Sequence, residues 1–402
     1  MCLGKKAGLA EYCSRDGLRE DADGGNDPRR RAHRAWHPRG ALHTPLLAAD
    51  RALDGSRSRA AAPHRALGRA LHRLSRRQRP GACGAGCVPH RQTRLFLGWV
   101  EGECIRCFYH GWKFDPAGRC VDQPAERQGF KEKVTIRAYP TREYLGLVFA
   151  YFGEGEAPPF PLFPEVEEAD GTLSITRHLV PCNYFQRVEN DLDETHVHFV
   201  HRVSTAPVGL NELPEIEVEE SDYGILRTGR RAGGGANPTR IGHYLMPNTL
   251  LVDLPPAPDH SYWTIHLAWR VPVNDEVMAS HIVSLRQGAA SRGRIAGGRV
   301  ITPDPLDVTE EVLAGRQRVQ DLDPSYSGLF MVQDNVALAG QGRIVDRSKD
   351  WLGQSDKGII LLRRLWQREL AALAEGRPGK SWRRPAEKLP LIVSGVTNVA
   401  AL

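Results

Sequence analysis

The sequence predicts an α+β protein, a small antiparallel β domain followed by a larger domain of strands and helices. Three observations predict it. Short β-rich segments separated by turns run from His90 to about Gly155, a proline-rich stretch follows at Ala157-Pro-Pro-Phe-Pro-Leu-Phe-Pro164, and beyond it apolar strand patterns share the chain with helical periodicity. In order, Leu95 to Val100, Val134 to Ile136 and Leu145 to Tyr151 read as the short strands of the first domain. The prolines then enforce an extended linker and forbid helix. Leu173 to Leu179 reads as a strand, Tyr184 to His201 as a helix, and Ile241 to Leu254 and Tyr262 to Val271 as strands that could line a cavity. Gly233-Gly234-Gly235 is a loop, since it lacks the Lys-Ser/Thr of a phosphate cradle. From Asp356 to Glu375 the apolar Ile359, Leu362, Trp366, Leu370 and Leu373 recur at helical spacing, which predicts a core-packed helix.

The 402 residues allow two or three domains and contain no internal repeat. No run of eighteen apolar residues and no apolar signal core are present, so a membrane span and export are not expected, and the expected compartment is the cytoplasm. The eight cysteines lack a disulfide-like rhythm. Reduced thiols fit that compartment, with Cys104, Cys120 and Cys182 as packing residues. The net charge of +6 is local: residues 1–86 hold eighteen Lys and Arg against eight Asp and Glu, and the remainder holds 36 against 40. The surplus therefore gives no argument for nucleic-acid binding by the rest of the chain.

Two motifs carry ligands for different metal centres. His90 and Cys107-Phe-Tyr-His110 are separated by sixteen residues, and Cys87 stands three positions before His90. Thiolate and imidazole together suit an iron–sulfur cluster, while Cys87-x2-His90 with Cys104-x2-Cys107 is also an acceptable Cys3His zinc set. The second motif is Asp193-x2-His196-x4-His201. Two imidazoles with a carboxylate at short spacing suit a second, chemically different metal centre. Asp193 and His196 are expected on one helix face. His201 falls about 140° off it in an ideal helix, which predicts a π-type turn or break near Val200. His198 competes with these ligands by proximity.

Together these motifs, with Tyr109-His110-Gly111-Trp112-Lys113-Phe114-Asp115 and Cys182-Asn-Tyr-Phe-Gln-Arg-Val-Glu-Asn190, resemble those of Rieske non-haem iron oxygenases, in particular the phthalate 4,5-dioxygenase-like alpha subunits. The resemblance covers about His90 to Pro385. It implies an antiparallel β Rieske domain and a helix-grip (START/Bet v1-like) catalytic domain, in a homotrimer. It implies a [2Fe-2S] cluster on His90, Cys107, His110 and nominally Cys87, and mononuclear Fe(II) on His196, His201 and a late carboxylate. Phe330 to Ala337 resembles that late segment, which makes Asp334 the choice over Asp346 and Asp356. Asp193 would hydrogen-bond His196 and a cluster histidine of the neighbouring subunit. A flavin reductase, with or without a ferredoxin, would bring electrons from NAD(P)H to act with O2 on a small aromatic substrate, with no membrane or nucleic-acid partner. Arg227, Arg230, Arg231 and Arg240 are candidates for meeting a substrate carboxylate. A Rieske ferredoxin-like electron carrier and a non-catalytic product remain as other readings.

One departure is informative. Cys87 lies one residue too far from His90 for the family's first loop, and residues 1–86 contain no Val, Ile or Phe. Permissible codons for His43 to Leu53, read one base later, give Ile-Arg-Arg-Tyr-Trp-Gln-Pro-Ile-Ala-Leu, similar to the start of phthalate-dioxygenase-like chains. The expected organisation is therefore 1–86 translated from the wrong frame and disordered or loosely helical, 87–156 an incomplete Rieske domain, 157–172 linker, 173–385 catalytic domain and 386–402 tail.

Overall fold

The structure, a computed structural model, describes residues 45–47, 87–151, 156–202, 212–232, 239–254, 264–286, 294–298 and 301–391. The first strands are β1 (Pro45–Leu47), β2 (Trp99–Glu101), β3 (Cys104–Arg106), β4 (Lys113–Phe114), β5 (Cys120–Asp122), β6 (Thr141–Tyr144) and β7 (Leu147–Tyr151). They form two small antiparallel sheets, ordered β2-β3-β4-β5 and β1-β7-β6. Val88, Leu95, Ile105, Cys107, Trp112, Phe114 and Cys120 fill the core beside the first.

After the linker come α1 (Pro164–Glu167), β8 (Thr172–Val180), α2 (Tyr184–Leu192), α3 (His196–Val200), β9 (Glu215–Glu220), β10 (Gly224–Arg230), β11 (Thr239–Leu245), β12 (Thr249–Leu254), β13 (Thr264–Pro272), β14 (Met278–Arg286), β15 (Arg294–Gly298), α4 (Pro305–Leu313), α5 (Leu329–Ala339) and α6 (Lys357–Ala374). One eight-stranded sheet, β15-β8-β14-β13-β12-β11-β10-β9, dominates this part. Every pairing in it is antiparallel except β15 with β8.

Alternation along β13 sorts the two faces. Ile265, Leu267, Trp269 and Val271 join Leu147, Phe149, Phe163 and Val166 in the largest core cluster, so β6, β7 and the linker cover one face. The opposite face carries His266, Ala268 and Arg270, and Arg270 meets α2 through Asp191. The long α6 lies against β9 and β10. A mostly antiparallel sheet holding a long C-terminal helix is the arrangement the resemblance implies.

Several expectations shift. Leu95 to Val100 is not one strand: Leu95–Leu97 is a 3-10 turn closed by Gly98 N–H donating to the Leu95 carbonyl at 2.9 Å, and β2 follows. Val134 to Ile136 contributes only a bridge, between Thr135 and Arg119. The apolar run from Ile241 to Leu254 folds back on itself, because Pro247 and Asn248 make a turn between β11 and β12. The helix from Tyr184 to His201 is two helices, α2 and α3. Residues 1–86 lie outside the described residues apart from β1, whose Leu46 pairs with Ala150 of β7; three residues of that segment do join a sheet. The 386–402 tail is described only as far as residue 391, and there Leu389 is buried in the main core and the Pro390 carbonyl accepts from His243.

Candidate metal centres

α2 begins where the Asn183 carboxamide accepts from Phe185 N–H at 3.1 Å, a conventional N-cap. It presents Gln186, Val188, Glu189, Asn190, Asp191 and Leu192 to the interior. Asp191 receives two 2.7 Å hydrogen bonds from the fully buried Arg270 guanidinium, a bidentate pair that locks α2 onto β13. Such a pair fixes register more than it stabilises, because both ions lose hydration.

The helix stops at Asp193, which takes extended backbone angles (φ −88°, ψ 103°). Its Oδ1 accepts from the N–H groups of Thr195 at 2.9 Å and His196 at 3.1 Å, and this restarts the chain as α3. The chain therefore breaks at Asp193 to Thr195, which the spacing does not predict, so Asp193 does not share a helix with His196; the break expected near Val200 is also present, since α3 ends there and His201 (φ −105°, ψ 16°) leaves the helix. The turn still leaves Asp193 Oδ2 at 3.9 Å from His196 Nδ1. His201 caps the end of α3, and its ring stacks on Phe330 with centroids 3.6 Å apart.

α5 supplies the carboxylate. Asp334 Oδ1 lies 3.0 Å from His201 Nε2 and 3.7 Å from His196 Nε2. Among the described residues, His196, His201 and Asp334 are the one group of three whose ligand atoms lie within 4.8 Å of one another. Asp346 and Asp356 sit elsewhere, each occupied by local backbone N–H groups. His198 is not part of the group. Its ring meets Phe199.

The donor set fits a divalent iron. Burial would raise the Asp334 carboxyl, but Arg187, His201 and His196 outweigh it and hold the group below the ordinary carboxylate range. Burial lowers the His196 imidazole, which favours the neutral ring that a metal needs. His196 Nδ1 is buried without a hydrogen-bond partner among the described residues, and Asp193 is the carboxylate that faces it. His201 Nδ1 is already fixed by Gln333 Oε1 at 2.9 Å, which leaves Nε2 for ligation.

Sequence reasoning missed the supporting residues. Arg187 Nη1 holds Asp334 Oδ2 at 2.7 Å and its Nη2 lies 3.6 Å from Asp191. The signals were present: Arg187 and Asp191 stand four apart on α2, and Arg270 interrupts the apolar run from Leu267 to Val271, where a buried cation demands an anion. The candidate arginines are also relocated. Arg227, Arg231 and Arg240 are buried around Glu194, at 2.6, 2.9 and 3.0 Å, rather than open to a substrate. Arg230 pairs with Glu217 at the surface.

The first motif is less complete. Cys107 is buried at the end of β3, its N–H donates to the Trp112 carbonyl at 2.8 Å, and its carbonyl accepts from Gly111 at 3.0 Å. Gly111 has φ +76°, and a Cβ there would meet Pro124 at 2.9 Å, so the loop requires glycine. The His90 and His110 rings approach to 4.5 Å between centroids, with Trp112 stacked on His90 at 4.6 Å. Cys87 is disulfide-bonded, whereas Cys104, Cys107, Cys120 and Cys182 are free. The expectation that Cys87 gives a cluster thiolate is not met, because a sulfur spent in a disulfide has no thiolate to give. As it stands, the set holds one free cysteine where a Rieske cluster needs two.

Comparison with known proteins covers the first motif and most of the chain. The Rieske [2Fe-2S] domain family matches residues 58–140. The 5,5'-dehydrodivanillate O-demethylase oxygenase subunit of Sphingobium sp. (strain NBRC 103272 / SYK-6) is 33% identical over 313 residues, which are 73% of this chain and 67% of that protein. The phthalate 4,5-dioxygenase oxygenase subunit of Pseudomonas putida is 27% identical over 336 residues, 72% of each chain. In fold, the chain superimposes on the NdmA QL mutant with theobromine, from Pseudomonas putida CBB5, with a TM-score of 0.55, 17% identity and coverage of 72% of this chain and 78% of that one. No described helix is long and apolar enough to cross a membrane. A Rieske domain, a sheet-and-helix catalytic domain carrying two histidines and an aspartate, and this level of identity over most of the chain lead to one conclusion: the chain belongs to the oxygenase (alpha) subunits of the Rieske non-haem iron oxygenases.

Proposed function

We propose that His196, His201 and Asp334 hold a mononuclear Fe(II) at which a small aromatic substrate is hydroxylated or O-demethylated. The observation that carries this reading is the convergence of the three donors within 4.8 Å, in a buried position reached from α3 and α5. Iron in such a facial triad supplies dioxygen activation. The chain's own residues set its conditions. Arg187 takes one oxygen of Asp334 and leaves the other for the metal, Gln333 fixes the tautomer of His201, and Asp193 faces His196 Nδ1. O-demethylation is supported by the dehydrodivanillate relative and ring hydroxylation by the phthalate relative.

The same reading extends to partners. Electrons would come from NAD(P)H through a flavin reductase, with or without a ferredoxin, and the working assembly would be a cytoplasmic homotrimer in which Asp193 also meets a cluster histidine of the neighbouring subunit. The boundaries at residues 86, 156, 172 and 385, and the wrong-frame origin of 1–86, belong to this proposal. It is tested by iron analysis with O2 uptake. A frame-corrected protein with a complete cluster, supplied with a reductase and a methoxylated benzoate, should consume O2, release formaldehyde or a hydroxylated ring, and lose mononuclear iron on His196→Ala. Stoichiometric zinc in the triad, with no O2 uptake by the iron-reconstituted protein, would reject it.

A further inference from the structure

Row by row, the sheet face that carries the metal site changes character with distance from the triad. The ion pairs Arg270–Asp191, Arg187–Asp191 and Arg187–Asp334 tie the triad to the row of Arg270, Ser280 and His178, which lie opposite one another on β13, β14 and β8. Next along the strands, Leu250, Ala268 and Ile282 stand side by side, with Val252 beyond, and form an apolar cluster of their own. Among the described residues, no apolar side chain from a helix joins that cluster. One row further, His266, Ser284 and Ser174 are opposite one another on β13, β14 and β8, and all three keep accessible surface.

His266 stands out in that row. Burial, reinforced by Arg270 and Arg187, pushes its imidazole down to about 3, so the ring is neutral. It is nevertheless only half-buried. The ring is thus still accessible on the same sheet face as the apolar row and the metal row. Among the described residues, none hydrogen-bonds its ring nitrogens, in contrast to His243, which is held by Tyr223 at 2.8 Å and the Pro390 carbonyl at 2.8 Å.

We infer that His266 is the specificity residue of the substrate cavity and hydrogen-bonds a phenolic hydroxyl on a ring seated over Leu250, Ala268 and Ile282. This rests on the reading that the triad acts on an aromatic substrate. His266 and Arg270 stand four positions apart on β13, about 13 Å along the strand, which leaves room for a substituted ring between the imidazole and the metal row. A neutral imidazole offers one donor and one acceptor. A phenol hydroxyl matches it in either direction. A carboxylate offers only acceptors, and the imidazolium it would prefer is opposed by burial and by the cations Arg270, Arg187 and Arg240 around the site. Selection by a single neutral hydrogen bond in an apolar site is worth about tenfold in affinity.

The test is anaerobic calorimetric titration of the iron-loaded full chain with 4-hydroxy-3-methoxybenzoate and with 3,4-dimethoxybenzoate, the same ring with its hydroxyl capped. Wild type should prefer the hydroxylated ring by about tenfold, and His266→Leu should bring the ratio close to one without loss of triad iron. His266→Gln, which keeps a neutral donor and acceptor, should restore part of the preference and serves in place of His266→Leu if that variant does not fold. An unchanged ratio in His266→Leu, no preference in wild type, or binding of neither ring would overturn the inference. Binding is read without turnover, so failure of the oxygenase reading shows as missing iron or O2 uptake, and failure of this inference shows only in the ratio.

Discussion

Arg187 is where the metal site and the fold meet in one side chain. Its guanidinium is almost fully buried and compensates Asp334 and Asp191 together, while Arg270 takes the other side of Asp191. Removing one partner of a buried ion pair strands the other charge, at about 3–5 kcal/mol. Arg187→Met should therefore destabilise the metal-free protein by about that much. Adding Co(II) or Fe(II) should recover part of the loss, because the metal replaces the missing positive charge and binds only the folded state. Denaturant unfolding with and without metal measures both arms, and equal destabilisation in each would show that Arg187 has no special relation to the site. Asp253 gives a second residue-scale test. Burial pushes its carboxyl up to about 7 against the opposing pull of Arg240, and its Oδ1 has no hydrogen-bond partner among the described residues. A carboxyl whose folded pKa lies above its unfolded value stabilises below the unfolded value, near 3.8, and that contribution is lost as pH rises through about 7. Asp253→Asn should then stabilise the protein at pH 8 by a few kcal/mol, because each tenfold weakening of the acid on folding costs about 1.4 kcal/mol, and the gain should fade toward pH 4. A pH-independent difference would mean that the carboxyl is not neutral in the fold.

Elements whose sequence and environment agree were legible. The α6 periodicity predicts a helix from Asp356 to Glu375, and the helix runs from Lys357 to Ala374 with Leu362 and Trp366 buried as expected. The buried stripe also includes Glu369, which accepts from Lys380 N–H at 2.6 Å, and Gly358, whose missing side chain lets α6 approach the Leu192 carbonyl. Neither polar nor absent side chains register in an apolar period. β8 and β13 were legible for the same reason, since their β-branched and aromatic residues suit a half-buried pleated surface. The Asp193 break was not. Helical spacing read through it because nothing in Asp-Glu-Thr-His says that the carboxylate will turn back onto the N–H groups of Thr195 and His196. The triad survived that error because motif spacing names residues rather than geometry, while Arg187, Gln333 and His266 required the fold to bring distant elements together.

At the scale of the whole molecule, the catalytic and Rieske halves differ in how complete they are. The catalytic half brings its three donors together, whereas the Rieske half has three of four expected donors free and its Cys87 sulfur consumed. The domain family match reaches back to residue 58, ahead of His90, and β1 pairs with β7, so the earlier segment is not wholly foreign to the fold. Yet cluster assembly depends on ligand position within about 0.2 Å, and Cys87 is both misplaced by one residue and disulfide-bonded. The chain as it stands should therefore take up its mononuclear iron but fall short of two cluster irons and two sulfides after anaerobic reconstitution, even with reductant present to free Cys87. A version carrying one added base before the His90 codon, with the upstream frame shifted to match, should restore Cys-x-His spacing and the full complement. Iron and acid-labile sulfide analysis of the two proteins decides the matter. A full cluster in the chain as it stands would show that Cys87, or an earlier cysteine, can serve, and the wrong-frame origin of residues 1–86 would fall with it. A deficit in both proteins would place the defect after His90, where the Cys107 loop and its Gly111 turn would be the next residues to question.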